Sequence, residues 1–460
     1  MTAKILSARR LAASLAVVLP LVGPGTLAHA DSLTAVLSDA YQGNATILAQ
    51  RLRLRQTDEG LPEALAGWRP SVSLSGSIAR AHQYFGLSFP GTTPIANLTP
   101  SAAALQVQQP LYHGGAIEAG ITGARAAIDG GQATLLAVEA AGLLDAATAY
   151  LDVFRDGKLA DLSQGLVEVL TLNRHDVRVT YDAGAATETD AAQAEARLQG
   201  AIAGKLAAAA QLATSRARFL NAVGREAGPL DPPASLGPLA ATEAEAAGLA
   251  AEHNPDIEAA RHALDQARSS VDAATAALLP KLDAVGIVQH ADDYLLKGIR
   301  QNQAQIGLQA IVPLYEGADY ARIRAAREGV AAAEKQQLAT ERQVRQTISA
   351  AWNALQAARA QQEEYRAEIA ANQVALNDTV KEVAAGTRTR LDLLNAEQEL
   401  FGSRVALVGA EHDALLAGFR LQAAEGVFTP SGLGLDTPDY DPARHAQAVG
   451  GKWWGTTPPE

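Results

Sequence analysis

The sequence predicts a mainly α-helical chain with a few short β-strands, built as one unit used twice. Three observations carry that reading: a near-constant internal offset, two very long proline-free stretches, and short alternating runs at matching places in each copy. Asn44 and Asn254 stand 210 apart, as do Pro70 and Pro280. Gln109-Pro110-Leu111-Tyr112-His113-Gly114 answers Val312-Pro313-Leu314-Tyr315-Glu316-Gly317 at 203. Tyr150 and Trp352, Gly184 and Gly386, and Gly224 and Gly426 are each 202 apart. An offset held over so much chain marks an internal duplication. The seven-residue drift falls between the two prolines of each copy, so the second copy has the shorter loop there.

The elements follow in order. Lys4, Arg9 and Arg10 precede an apolar run, Leu11 to Val22, and Ala28-His29-Ala30 reads as a cleavage site, so residues 1–30 are expected to be a secretory signal peptide. The run has about 12 residues, where a membrane span needs about 20. Removing three basic and no acidic residues takes the formal charge from −12 to −15. No later stretch reads as long and apolar enough to cross a bilayer as a helix. The first repeat is placed at 31–228, a linker at 229–241, the second repeat at 242–428, and a flexible Pro/Gly-rich tail with Trp453-Trp454 at 429–460.

Within each repeat a helical segment comes first, Leu33 to Trp68 and Thr242 to Leu279. A strand pair follows. Ser71 to Ile78, Leu105 to Gln108 and Gln305 to Ala310 alternate polar and apolar residues, and a weaker run follows Leu282. Runs of about 8 to 11 residues suit a membrane strand, although a half-buried soluble strand alternates in the same way. Four strands per chain cannot close a barrel that needs about eight, and open edges do not survive in lipid. Membrane strands would therefore have to come from several chains, giving 8, 12 or 16 in all.

Helix fills the rest. Proline is absent from Leu111 to Gly228 and from Leu314 to Thr429, and its absence permits very long helices. Gly184 and Gly386 divide the two stretches. At 1.5 Å per residue, Leu111 to Gly184 would reach about 110 Å. The returning limb, Thr187 to Val223, is half as long and matches that length only if stacked on Leu33 to Trp68. Leu391, Leu394, Gln398, Phe401, Val405, Val408, His412, Leu415 and Phe419 step by three and four as a packing seam. Val344, Ile348, Trp352 and Leu355 form a second stripe.

Composition excludes several functions. Zero cysteines rule out disulfides, thiolate metal sites, cysteine nucleophiles and an acylated cysteine. The acidic balance argues against nucleic acid. No HExxH, G-x-S-x-G, P-loop or dinucleotide fingerprint occurs, so no catalytic residue, metal or cofactor is expected. His412 reads as a core histidine. Tyr84, Phe85 and Phe89 fit an aromatic girdle, an outer mouth or simple loop packing.

The Pro-Leu-Tyr-x-Gly lead into a long helix, present twice, resembles the TolC-like outer-membrane efflux and secretion channels. So does Gly386-Thr387-Arg388-Thr389-Arg390-Leu391-Asp392-Leu393-Leu394-Asn395-Ala396. The resemblance covers Ser32 to Phe428. It implies a homotrimer whose twelve strands form one outer-membrane β-barrel within the lipid and whose helices form a periplasmic α-barrel. It also implies a passive exit duct for an inner-membrane RND or ABC transporter, joined by a periplasmic adaptor. Pro110, Gly114, Pro313 and Gly317 would be the strand-to-helix turns, and Gly184 and Gly386 the hinges of the hairpins. The other reading, a periplasmic coiled-coil adaptor or structural envelope protein, calls for a many-stranded soluble domain, and only two strand pairs are found.

The same resemblance puts the channel constriction at the hairpin tips. Asp190 follows Thr187 by three, and Asp392 follows Thr389 by three. T-x-x-D after a glycine reads first as a capping box, which is compatible with a gate. Three chains would bring six carboxylates around one axis, attracting cations and raising some carboxyl pKa values. Asn395 stands where many relatives have another aspartate, which weakens the ring. Arg388 would bond Thr189 and Asp190 across neighbouring hairpins and hold the tip closed. Val383 replaces a tyrosine of some relatives, while Tyr181 keeps the equivalent place in the first repeat.

Overall fold

The structure, a computed structural model, describes residues 31–84, 95–234, 237–293, 297–438 and 440–458. The signal-peptide segment and the side chains of Tyr84, Phe85 and Phe89 lie outside the described residues.

Helices α1 (Leu33–Gly43), α2 (Ala45–Asp58) and α3 (Gly60–Ala66) lead to strand β1 (Ser71–Ile78). Strands β2 (Ala81–Tyr84), β3 (Ile95–Leu98) and β4 (Ser101–His113) follow, then helices α4 (Ala116–Asp182) and α5 (Glu188–Val223). The plan repeats as α6 (Glu243–His253), α7 (Pro255–Ala276), β5 (Lys281–Asp292), β6 (Arg300–Ile311), α8 (Gly317–Ala384) and α9 (Arg390–Glu425), and the chain closes with α10 (Ala443–Gly450). The two long helices have 67 and 68 residues, about 100 Å each.

The short helices stack end to end beside the long ones, and one residue type makes both joints. Asn44 Oδ1 caps α2 by accepting from the amides of Thr46 and Ile47, while its Nδ2 donates to the Ala222 carbonyl at the end of α5, 2.9 Å. Asn254 does the same for α7, with Nδ2 2.8 Å from the Ala424 carbonyl of α9. Each lower helix stops at a left-handed glycine, Gly224 (φ +89°) and Gly426 (φ +81°). A Cβ on Gly426 would collide with the His253 carbonyl, so only glycine lets the two helix ends meet.

The main core sits at these joints. Val36, Leu37, Ile47, Leu143, Tyr150, Phe219, Phe419 and Phe428 are buried together, and Ile257, Val344, Ile348, Leu355 and Leu421 form the matching cluster of the second repeat. The Tyr150 hydroxyl donates to the carbonyls of Asp31 (2.9 Å) and Asp231 (2.7 Å), tying down the short Asp31–Leu230 bridge.

Three sequence readings need adjustment. The α9 seam is only partly buried: Leu394, His412 and Phe419 are inside, Leu391 and Gln398 exposed, and Leu400, Ser403 and Ala410 buried instead. The reason is that α9 lies in a wall between α8 and α4 and so has two packing faces. Against expectation, α4 does hold a window apolar enough to cross a membrane as a helix. Its buried Leu135, Leu143, Ala146, Ala147 and Leu151 show the structural use of that composition. The tail read as flexible carries α10, which packs on α2 and α3.

The main sheet has order β1-β4-β5-β6, antiparallel throughout. Pro100 lacks an N–H, and there the hairpin breaks into the separate β2–β3 ladder. Pairing sorts the side chains by face. Leu74, Leu105, Val288 and Ala304 form one row, and Val72, Val107, Gly286 and Ile306 the next. On the other face run Ser75, Ala104, Gln289 and Gln303, then Ser73, Gln106, Ile287 and Gln305. One face is apolar and exposed (Leu74 77%, Ile306 89%), the other rich in serine and glutamine. Among the described residues, β1 and β6 have no strand partner on their outer sides. Because β1 continues α3 and β6 leads into α8, the sheet and the helical wall share the same two open edges.

Candidate functional site at the hairpin tips

The hairpins turn at Gly184 (φ +74°) and Gly386 (φ +75°). The amide of Gly184 donates to the Tyr181 carbonyl and that of Ala185 to Thr180; Gly386 and Thr387 donate likewise to Val383 and Glu382. This paired pattern closes a helix C-terminus and needs the left-handed residue. Three residues later each new helix is capped reciprocally. Thr187 Oγ1 accepts from the Asp190 amide (3.2 Å), and the Thr187 amide donates to Asp190 Oδ2 (3.0 Å). Thr389 and Asp392 repeat this at 3.2 and 2.9 Å. Each threonine hydroxyl also donates to its aspartate, 2.7 Å. These bonds, from threonine side chain and then backbone, hold both carboxyls below the usual range, with Arg388 helping at Asp392.

Asp190, Thr189, Arg388 and Asn395 are exposed at the tips. Within one chain Arg388 Nε pairs with Glu382 Oε2 of its own hairpin, 2.8 Å. Asn395 Oδ1 accepts from Arg197 of the other hairpin, 2.8 Å, and Arg390 approaches Asp176 at 3.8 Å. Glu382, Arg197, Arg390 and Asp176 were not singled out in the sequence. Their partners lie across a glycine turn or about two hundred residues away, and no local spacing marks them. Beneath the tips Leu170, Leu198 and Leu394 join α4, α5 and α9.

Further up the wall lies a buried polar cluster that sequence reasoning also missed, apart from His412. His412 sits between Asp152 (Nε2, 3.0 Å) and Asp413 (Nδ1, 2.9 Å). Arg155 pairs with Asp152 (3.0 Å) and Asp156 (2.8 Å), and Ser215 donates to Asp156. Burial pushes the Asp152 carboxyl up, but His412 and Arg155 outweigh it and hold it below the usual range. Both His412 nitrogens are engaged by protein groups, and no metal cluster occurs among the described residues.

The outer membrane efflux protein family matches residues 36–225 and 246–427. This chain belongs to that family. It is 32% identical to the outer membrane efflux protein BepC of Brucella suis, over 95% of this chain and 94% of the relative. It is 30% identical to the alkaline protease secretion protein AprF of Pseudomonas aeruginosa over 42% and 40% of the two chains. Its fold matches the CmeC outer membrane channel of Campylobacter jejuni with TM-score 0.77 at 16% identity, over 91% and 89%. The family is one of transport channels rather than enzymes. The protein is an outer-membrane exit duct of the efflux and type I secretion class, extending into the periplasm. The exposed apolar face of the sheet is the part of the chain suited to lipid, and the strand ends joined to helices are the ends that would face the periplasm. Pro110 pairs with Asp283 just before a bulge in β4, and Gly114 (φ +65°) and Gly115 (φ +86°) lead into α4, with Gly115 at its N-cap. Pro313 precedes α8, whose first residue is Gly317.

Proposed function

We propose that three copies close edge to edge into one duct, with twelve strands around a polar lumen and a continuous wall of helices below. The observation carrying this reading is the pair of open edges that runs from β1 and β6 down to the tips. A β1 edge with exposed Val72, Leu74 and Ile78 cannot rest unpaired in lipid, because unsatisfied backbone groups there cost several kcal/mol each. A closed barrel puts the apolar rows against lipid and the serine and glutamine rows inside. The duct works passively with a periplasmic adaptor and an inner-membrane RND or ABC transporter, and the transporter chooses whether small molecules or polypeptides pass.

Asp190, Asp392 and Asn395 ring the narrow end, and Arg388 latches it by exchanging Glu382 for Thr189 and Asp190 of the neighbouring hairpin. Exposed ion pairs contribute only about 0–1 kcal/mol each, so the latch depends on threefold repetition. Two experiments test this. Outer-membrane fractions run unheated should show an oligomer that boiling converts to monomer; release with soluble periplasm would refute the duct. Arg388→Ser combined with Asp190→Ala should raise single-channel conductance in planar bilayers several-fold; unchanged conductance would refute the latch.

A further inference from the structure

The tail is held along a defined path. The Tyr440 amide donates to the Tyr41 hydroxyl, 3.3 Å. The Arg51 guanidinium lies between the rings of Tyr41 and Tyr440, 4.4 and 4.7 Å from their centroids, and pairs with Glu139. In α10, Val449 is fully buried, and His445 Nδ1 meets the buried Asp58 Oδ2 at 3.0 Å. Next, the Lys452 carbonyl accepts from Arg69 Nη1 at 2.6 Å, and the Arg69 guanidinium covers the Trp453 ring at 4.9 Å. Arg69 is two residues before β1. These contacts bring the tail to the periplasmic rim and stop it there.

At that point the burial ends. Trp453 is 60% exposed and Trp454 87%. The two rings are 6.5 Å apart and tilted by 59°. Tyr112, at the end of β4 where strands meet helices, is also bared at this level, while the exposed Leu314 and Tyr315 lie on the β6–α8 edge that a neighbouring copy would cover. Trp68 is close by, next to Arg69. Tryptophan and tyrosine gather where a membrane meets water, because the ring is apolar and its N–H or O–H seeks headgroups. Arg69 and Lys452 add positive charge, offset in part by Glu59 and Glu63 lining the same hollow.

We propose that Trp453 and Trp454 form a membrane-surface anchor, seated in the headgroup region of the periplasmic leaflet of the outer membrane. The occupant is lipid because the pair is continuous with a rim already defined by the membrane strands, on which placement this inference rests. Docking through Tyr440, His445, Val449 and Lys452 fixes the rings in advance, so insertion orders little additional chain. The chain has no cysteine to carry an acyl group, and the tail supplies a non-covalent hold at the edge of the barrel.

The test uses the full chain with Trp68→Phe and Trp352→Phe, leaving Trp453 and Trp454 as the only tryptophans of the four. It is reconstituted in phosphatidylcholine vesicles brominated high or low on the acyl chains, with insertion verified by flotation and conductance. The expected result is a blue-shifted emission that loses intensity most with the shallow bromines, and a reduced loss when Arg69→Ala frees the tail. Absence of quenching in inserted protein would overturn the proposal. So would a blue shift already complete in lipid-free detergent without bromine quenching, which would mean that protein, such as a second copy, covers the pair. Quenching strongest with deep bromines would also overturn it. Failure of the duct itself would show separately, as absent conductance.

Discussion

The two repeats share a backbone and differ in charge. Their joints use Asn44 and Asn254 in the same hydrogen bonds, and their tips use Gly184 and Gly386 at φ +74° and +75°. Yet Glu188 in the first tip corresponds to Arg390 in the second, and Ala186 to Arg388. At the joint, buried Val223 corresponds to Glu425, which is 1% exposed. Shape is thus set by the few residues that cap and turn helices, while the positions between them are free to carry charge. Opposite charges on tips of equal shape give neighbouring hairpins complementary surfaces, as the Arg390–Asp176 approach already illustrates.

The strongest test of this contrast is at Glu425. Burial, then the charge of Glu245, pushes its carboxyl up to about 7 from 4.5. A raised acid is neutral in the fold and ionised in the unfolded chain, so stability is full below about pH 4.5 and falls as pH rises toward 7. The difference corresponds to about 3 kcal/mol. Glu425→Gln should therefore stabilise the protein by about that amount at pH 8 and leave it unchanged near pH 4, as read from thermal unfolding at both pH values. Val223→Glu, which copies the second repeat into the first, should introduce a similar pH dependence.

Smaller effects probe the shared backbone. Alanine at Gly184 or Gly386 meets no neighbour within 4 Å, so its cost is the left-handed backbone alone, about 1–2 kcal/mol. Hydrogen exchange in the tip amides should rise equally for the two variants. Thr187→Ala and Thr389→Ala each remove one cap, about 1 kcal/mol of local helix stability. The cap aspartates have depressed pKa values, so their contribution is present above the ordinary carboxylate range and lost as pH falls through the folded value. Once exchange is corrected for the intrinsic slowing of amides in acid, protection at the starts of α5 and α9 should therefore fall on acidification in the parent and much less in the threonine variants.

Local chemistry explains what the sequence made legible. The T-x-x-D caps, turn glycines and proline-free helices are short-range features, and each appears where its pattern lies. β5 was the weak strand because Ala284 and Gly286 dilute its apolar face, while Val285 and Ile287 interrupt its polar one. It is nevertheless the strand paired along its whole length on both sides, by β4 and β6. The partners of Arg388 and Asn395, the Asp152–His412 cluster and the docking of His445 on Asp58 join residues that no spacing relates. Pro/Gly composition hid the tail's order, which comes from tertiary contacts such as buried Val449.

A duct forms only if the two open edges of the chain close against other copies. Cysteines introduced at Ser75 in β1 and, in a panel, at Gln303, Gln305 or Gln309 in β6 test it directly, because the chain has no cysteine of its own. Oxidation in outer-membrane vesicles followed by denaturing electrophoresis should give a crosslinked ladder that stops at the trimer. Monomer alone across the panel, or a ladder stopping at two or four copies, would contradict a duct closed by three chains.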